Sequence, residues 1–138
     1  MYCISVSYKS ANVAVREKIA FSAEEQERFI KDNMIILSTC NRVEIYFTDY
    51  DLITVGKYIC KFKNIDYRAY KAYVNIYGGE GAILHLYRVA CGLESKILGE
   101  DEILGQVKDA YYFAHNNVKL SYELNTICKG AITAAKKI

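Results

Sequence analysis

Two apolar segments on either side of a short polar break constrain the fold of this chain most strongly. The run over residues 34–37 is typical of a buried strand, and residues 43–48 alternate between apolar and polar side chains, as in a half-buried strand. This pattern predicts two strands joined by a turn that contains Cys40. A rigid sheet would hold the cysteine at the surface there, and loops on rigid scaffolds often carry functional groups.

The rest of the first half repeats these signals in a recognisable order. Ser22 and Glu25 have the spacing of a capping box, which predicts the start of a helix. The predicted elements are a strand over 2–7, a helix over 22–31, strands over 34–38 and 43–48, a helix over 51–62 and a strand over 70–77. The order β-α-β-β-α-β predicts an α+β fold of the ferredoxin-like type, an antiparallel sheet with helices on one face.

The second half is predicted to be helical. One helix covers 80–91 and stops at Gly92, another begins near Glu100, and a third runs from about 120 to the end. We therefore expect a single domain over residues 1–138, in which additional C-terminal helices follow the sheet. The sequence stops inside a helical pattern, which suggests a fragment of a longer protein.

Composition predicts a soluble globular protein. Apolar residues make up 52% of the chain and charged residues 25%, no apolar run approaches the length that spans a bilayer, and the N-terminus lacks the features of a signal peptide. A cytoplasmic location is therefore expected. The net charge of +2 is too small for non-specific binding of nucleic acid, so an RNA partner would have to use a localised patch.

The five cysteines include no C-x-x-C pair, so no zinc or iron–sulfur site is expected. Cys3, Cys60 and Cys128 lie in apolar patterns and are predicted to be buried. Cys40 is the candidate nucleophile, because a thiolate attacks acyl carbons well and the charge of Arg42 could favour the thiolate. From spacing alone, a buried cysteine with Arg42 at the surface is an equally good interpretation.

Two further regions could carry chemistry. His85 lies among apolar neighbours on the predicted helix, a position more typical of a packed core residue than of a catalyst. The segment 92–106 leads into a helix N-terminus, where an anion could bind, but its acidic residues at 100–102 are also typical of ordinary helix capping. Neither G-x-G-x-x-G nor G-x-x-x-x-G-K-S/T occurs in the sequence.

Taken together, these segments resemble the N-terminal catalytic domain of glutamyl-tRNA reductase. That enzyme makes glutamate-1-semialdehyde, the precursor of 5-aminolevulinate in the biosynthesis of tetrapyrroles such as heme. The matching segments are SYKS (7–10) with VREKIAFS (15–22), LSTCNRVEIY (37–46), and HLYRVACGLES (85–95) with LGE (98–100) and ILGQVK (103–108).

The resemblance assigns roles to residues of this chain. It implies that Cys40 attacks the ester of glutamyl-tRNA to form a thioester, and that His85 assists proton transfer. It implies that Arg42 binds the glutamate carboxylate. The remaining substrate-binding positions that it implies are Thr39, Asn41, Ser95, Glu100, Asp101, Glu102 and Gln106.

The resemblance also implies cofactors and partners. In the family the thioester is reduced by NADPH, which binds to a domain absent from this sequence and expected beyond residues 120–138. A homodimer through an absent C-terminal domain and contact with the downstream aminomutase are implied as well, and no metal is.

The sequence departs from the family pattern at two places. Asp101 and Glu102 replace the usual Pro-Gln, and Tyr8 replaces the histidine of an early His-Lys-Thr-Ala-Pro motif. The first change adds negative charge near an anionic substrate. An alternative is therefore a non-catalytic ferredoxin-like module that recognises a tRNA end or a regulatory ligand. A third interpretation, a structural fragment of a redox or scaffold protein, leaves the regions of Cys40 and Ser95 unexplained.

Overall fold

The structure is a computed structural model that describes residues 1–96 and 102–138. Within these residues it contains one sheet and helices on both sides of it. In chain order the elements are β1 (Tyr2–Ser7), α1 (Val13–Ile19), α2 (Ala23–Phe29), β2 (Met34–Ser38), β3 (Arg42–Phe47), α3 (Leu52–Lys63), α4 (Tyr67–Tyr73), β4 (Asn75–Gly78), α5 (Glu80–Ala90), α6 (Ile103–Asn117) and α7 (Tyr122–Lys136). In this part of the chain, no helix has the length and apolar character needed to cross a membrane.

The sheet has the strand order β2-β3-β1-β4, and all neighbours are antiparallel. This order confirms the predicted ferredoxin-like arrangement, with β1 and β3 at the centre. The register between these two strands pairs Ser5 with Glu44 and Ser7 with Arg42. Polar side chains of adjacent strands therefore lie side by side in the middle of the sheet.

Helices cover both faces of the sheet, whereas the sequence pattern predicted one covered face. Side chains of α1–α4 pack on one face against residues such as Ile45 and Phe47, and side chains of α5–α7 pack on the other against residues such as Leu37 and Tyr46. The additional C-terminal helices bury the face that the period-2 pattern of β3 had left to solvent. All six residues of β3 are buried.

One predicted strand began at the wrong residue, and one helix was not predicted. The alternating residues from 70 onwards form the end of α4, and only Asn75–Gly78 continue as a strand, because Asp66 caps a helix by accepting from the backbone of Ala69. Helix α1 was not predicted, although its cap was visible in the sequence as Asn12. The helix at Ser22 is confirmed, with both bonds of its capping box present.

The end of α5 sets the direction of the chain that follows it. Gly92 has a φ of 79°, its N–H donates to the carbonyl of Val89, and the N–H of Leu93 donates to that of Arg88. These bonds form a Schellman motif, which requires a left-handed residue and therefore favours glycine. The predicted stop at Gly92 is confirmed, and the turn directs Glu94 back toward the sheet.

We predict that Gly92→Ala destabilises the fold by about 1–2 kcal/mol, the cost of placing an L side chain in the left-handed region. Urea unfolding followed by circular dichroism measures this change. Gly81→Ala is the matched control, because Gly81 lies within α5 and an added methyl group meets open space there. The control should be neutral or stabilising, and equal destabilisation by both substitutions would contradict the assignment.

Candidate active site

Cys40 lies at the centre of a tight turn between β2 and β3. The N–H of Thr39 donates to the carbonyl of Arg42 at 2.8 Å, and the Thr39 hydroxyl accepts from the N–H groups of Asn41 and Arg42 at 3.2 Å each. The carbonyl of Asn41 accepts from the N–H of Tyr8 at 2.9 Å. The turn is therefore fixed from within and from the end of β1, while the Cys40 side chain is exposed.

A cleft of about 220 Å³ opens beside Cys40. One wall is the turn itself, and the other is helix α1 with its flanking residues. Arg16 lines this cleft, and its Nε donates to the carbonyl of Cys40 at 3.2 Å. Sequence reasoning did not single out Arg16, although it lies within a segment that carries the family resemblance.

The centre of the site is Glu44, whose side chain is completely buried in β3. Its carboxylate accepts from Ser5 Oγ at 2.7 Å, from Arg42 Nη1 at 3.0 Å, from His85 Nε2 at 2.7 Å and from Tyr46 Oη at 2.5 Å. These donors come from β1, β3 and α5. Because these donors supply the hydrogen bonds that a buried carboxylate needs, the Glu44 side chain links the three elements to one another.

The partners of Glu44 keep it ionised. Burial by itself would raise the pKa of Glu44, but the hydrogen bond and charge of His85, the charge of Arg42 and the hydrogen bond from Tyr46 hold it below the usual carboxyl value. Glu44 was missed at the sequence level, because its place in an alternating pattern indicated a solvent-facing residue.

His85 is buried and contacts Glu44, not Cys40. Its ring also stacks on Tyr77 of β4, with centroids 3.9 Å apart and planes 11° from parallel. Across residues 1–96 and 102–138, the Cys40 thiol has no hydrogen-bond or ion-pair partner. The position of His85 matches the packed, satisfied residue that its apolar surroundings indicated, and its role in proton transfer stays a prediction.

Arg42 is buried, with 4% of its surface exposed, so the interpretation that placed it at the surface was wrong. One end of its guanidinium contacts Glu44, and Nη2 donates to the backbone carbonyl of Glu94 at 2.5 Å. Its charge is offset by the Glu44 carboxylate. A guanidinium has five N–H donors, and these two contacts do not use all of them.

Glu94 connects the segment after α5 to the sheet. Its carbonyl also accepts from Tyr8 Oη at 3.3 Å, and its carboxylate contacts Lys9 Nζ and Arg88 Nε at 2.9 Å each. Burial would raise the pKa of Glu94, but these two cations hold it below its usual value. Ser95 follows directly, so this predicted substrate residue lies one position from the contact with Arg42.

The remaining predicted positions are more widely spread. Gln106 lies in α6 and lines a second cleft of about 290 Å³ that also contains Ser38 of β2. Glu102 precedes α6 without making a side-chain capping bond, so ordinary capping does not explain it. Glu100 and Asp101 lie outside the described residues.

Three groups of the kind that bind metals lie close together in the described part of the chain. The ligand atoms of Cys3, Glu44 and His85 are within 4.8 Å of one another. However, the carboxylate already accepts a hydrogen bond from His85 and contacts Arg42, whose charge repels a cation. Burial also raises the pKa of the Cys3 thiol, which disfavours the thiolate that a metal needs. The donor set fits a hydrogen-bond network better than a metal site.

We predict that Glu44→Gln lowers the free energy of unfolding at pH 7 by about 3 kcal/mol, because it leaves the buried Arg42 charge uncompensated. In the wild type the folded-state pKa of Glu44 is lowered, so its stabilisation is present above about pH 4.3, the usual carboxyl pKa, and is lost as the pH falls through the folded value. Urea unfolding at pH 7 and below pH 4 should therefore show a smaller acid dependence in the variant.

The control for this prediction is Glu27→Gln, which removes an exposed carboxylate. It should change stability by less than about 0.5 kcal/mol. A Glu44→Gln protein as stable as this control at neutral pH would contradict the central role of the carboxylate.

Alkylation of the folded chain by iodoacetamide at neutral pH should modify Cys40 first. Cys3, Cys60 and Cys128 are buried, and burial raises their pKa values, that of Cys128 to about 12. Peptide mass spectrometry over time measures each rate, and the chain in urea is the control in which all five cysteines should react. Equal rates at Cys40 and Cys128 in the folded chain would contradict the described exposure.

Comparison of this sequence with known proteins identifies its family. The family model described as "Glutamyl-tRNAGlu reductase, N-terminal domain" matches residues 4–138. Among curated proteins, the glutamyl-tRNA reductase of Priestia megaterium is 38% identical over 97% of this chain and 33% of its own length. That of Pasteurella multocida is 35% identical over 98% of this chain and 36% of its own length.

A solved structure shows the same fold. The glutamyl-tRNA reductase from Methanopyrus kandleri superposes with a TM-score of 0.80 and 32% identity, over 99% of this chain and 33% of that protein. The chain thus spans about a third of the length of the relatives it matches. Both its sequence and its fold match these proteins, and the chain belongs to the family of glutamyl-tRNA reductase N-terminal domains.

Proposed function

We propose that this chain is the acyl-accepting domain of a glutamyl-tRNA reductase, in which Cys40 takes glutamate from glutamyl-tRNA as a thioester. The observation that carries the proposal is the placement of Cys40. Its thiol is exposed on a turn that internal hydrogen bonds hold rigid, beside a cleft large enough for a small acyl group. A nucleophile needs this combination of access and fixed position.

The proposed step is a transfer of the glutamyl group from oxygen to sulfur. The Cys40 thiolate attacks the ester carbonyl carbon, a carbon–sulfur bond forms, and the bond from that carbon to the ribose oxygen breaks. The tRNA leaves as its free hydroxyl after taking up a proton. The products are uncharged tRNA and a glutamyl thioester on Cys40, and no oxidation or reduction occurs.

The buried network supports this step by fixing the surroundings of the turn. Glu44 holds Arg42, and Arg42 holds the backbone of Glu94, so the segment that leads to Ser95 lies beside the β2–β3 turn. The proposed contact of a substrate carboxylate with Arg42 uses its remaining N–H donors. A role for His85 in proton transfer is supported by its bond to Glu44, which connects it to Arg42.

Reduction of the thioester is not assigned to residues of this chain. A dinucleotide usually binds a parallel sheet at a G-x-G-x-x-G turn, whereas this sequence lacks that motif and the described sheet is antiparallel. The residues present therefore do not fit NADPH. We assign the formation of glutamate-1-semialdehyde, and with it the tetrapyrrole pathway, to the complete enzyme. Dimerisation, contact with the aminomutase and a cytoplasmic location stay predictions.

Incubation of the chain with tRNA that carries isotopically labelled glutamate tests the proposal. We expect the labelled glutamyl group on Cys40, detected by mass spectrometry after acid quenching, and slow release of free glutamate as water hydrolyses the thioester. Cys40→Ala should abolish the adduct. Cys91→Ala is the matched control, because Cys91 is a half-buried thiol at the end of α5, and it should leave the adduct intact.

A folded wild-type chain that gives no adduct would overturn the proposal. Binding of glutamyl-tRNA without acylation, unaffected by Cys40→Ala, would instead support the non-catalytic binding module.

A further inference from the structure

Arg16 of α1 is a buried cation that contacts the nucleophile's turn. Only 8% of its surface is exposed. Its Nη1 donates to the carbonyl of Ala11 at 2.6 Å, and its Nε donates to the carbonyl of Cys40 at 3.2 Å. One side chain therefore joins the backbone just before α1 to the backbone of Cys40.

These partners are neutral, which distinguishes Arg16 from Arg42. Arg42 faces the Glu44 carboxylate, whereas Arg16 forms no ion pair with any residue in the ranges 1–96 and 102–138. A buried charge without a counter-charge is costly unless its hydrogen bonds compensate for lost water. The geometry of the guanidinium therefore matters at residue 16 more than its charge does. Its Nε and Nη1 donate in fixed directions that the ammonium group of lysine cannot reproduce.

We infer that Arg16 is a positioning residue for acyl transfer, which fixes the backbone of Cys40 so that the thiol faces the cleft. This inference rests on the proposed function of Cys40. The hydrogen bonds within the turn fix its neighbours Thr39 and Asn41, and the Arg16 contact is the one that reaches Cys40 itself from α1. Small misplacements of a reacting group reduce rates strongly, so this contact should affect the rate of acylation.

The experiment compares Arg16→Lys with Arg16→Gln. Lysine keeps the charge but loses the two-point contact, and glutamine loses both. We expect each variant to lower the rate of Cys40 acylation at saturating glutamyl-tRNA by about 10- to 100-fold, the cost of misplacing a reacting group by about 1 Å. The glutamyl-tRNA concentration that gives half of the maximal rate should change little. Arg28→Lys and Arg28→Gln are matched controls at a residue with 61% of its side chain exposed, and they should acylate at the wild-type rate.

A second measurement separates positioning from folding. Amide hydrogen exchange of the peptide that contains residues 38–42 should be faster in both Arg16 variants than in the wild type, with thermal melting used to confirm that each variant is folded. Exchange over β1 and α5 should stay unchanged. Because exchange needs no tRNA, it tests the contact independently of acylation.

The outcomes are distinct. Wild-type rates and exchange in both folded Arg16 variants would overturn the inference. A wild-type rate in Arg16→Lys with a loss in Arg16→Gln would also overturn it, since charge alone would then suffice. If the folded wild type gives no adduct, the proposed function is wrong. If, in addition, amide exchange over residues 38–42 is unchanged in the Arg16 variants, the inference that Arg16 fixes the backbone of Cys40 is wrong as well.

Discussion

The carboxylate of Glu44 is the interaction on which the rest of the site depends. It lies at the centre of the sheet, where β1, β3 and α5 meet, and each of these elements supplies a donor to it. A buried carboxylate without these donors would be strongly destabilising, and the donors without it would include an uncompensated guanidinium. The network is therefore stable only when it is complete, which ties the placement of Arg42 and His85 to the packing of the core.

This arrangement separates the exposed Cys40 thiol from the buried groups that hold its turn. The Cys40 thiol is at the surface, whereas the charged side chains of Arg16, Arg42 and Glu44 are in the interior. Arg42 is neutralised by Glu44 and holds the segment at Glu94. Arg16 contacts Cys40 from the other side and has neutral partners. The two arginines thus differ in their contacts, although both are buried close to the same turn.

Much of the fold could be predicted from the sequence because its local signals are strong. The capping box at Ser22 and the polar break around Cys40 mark element ends whatever the tertiary context. The burial of β3 could not be predicted, because residues that alternate between apolar and polar look the same whether the polar face meets water or a buried network. For the same reason Glu44 was missed. His85 was singled out as a site residue only through the family resemblance, because its apolar surroundings indicated a core residue. The alternating segment from residue 70 was mistaken for a strand, because the helix cap that Asp66 provides was overlooked.

The Schellman motif at the end of α5 has a consequence for how this site tolerates sequence change. The position of Glu94 is specified locally, by one left-handed glycine and two backbone hydrogen bonds that precede it. The carbonyl that contacts Arg42 is therefore placed before the chain reaches Ser95. Sequence changes after Ser95 therefore leave the bonds that place Glu94 intact, because those bonds lie within residues 88–93. The contact between Arg42 and Glu94 thus depends on Gly92 more than on the identity of the residues that follow Ser95.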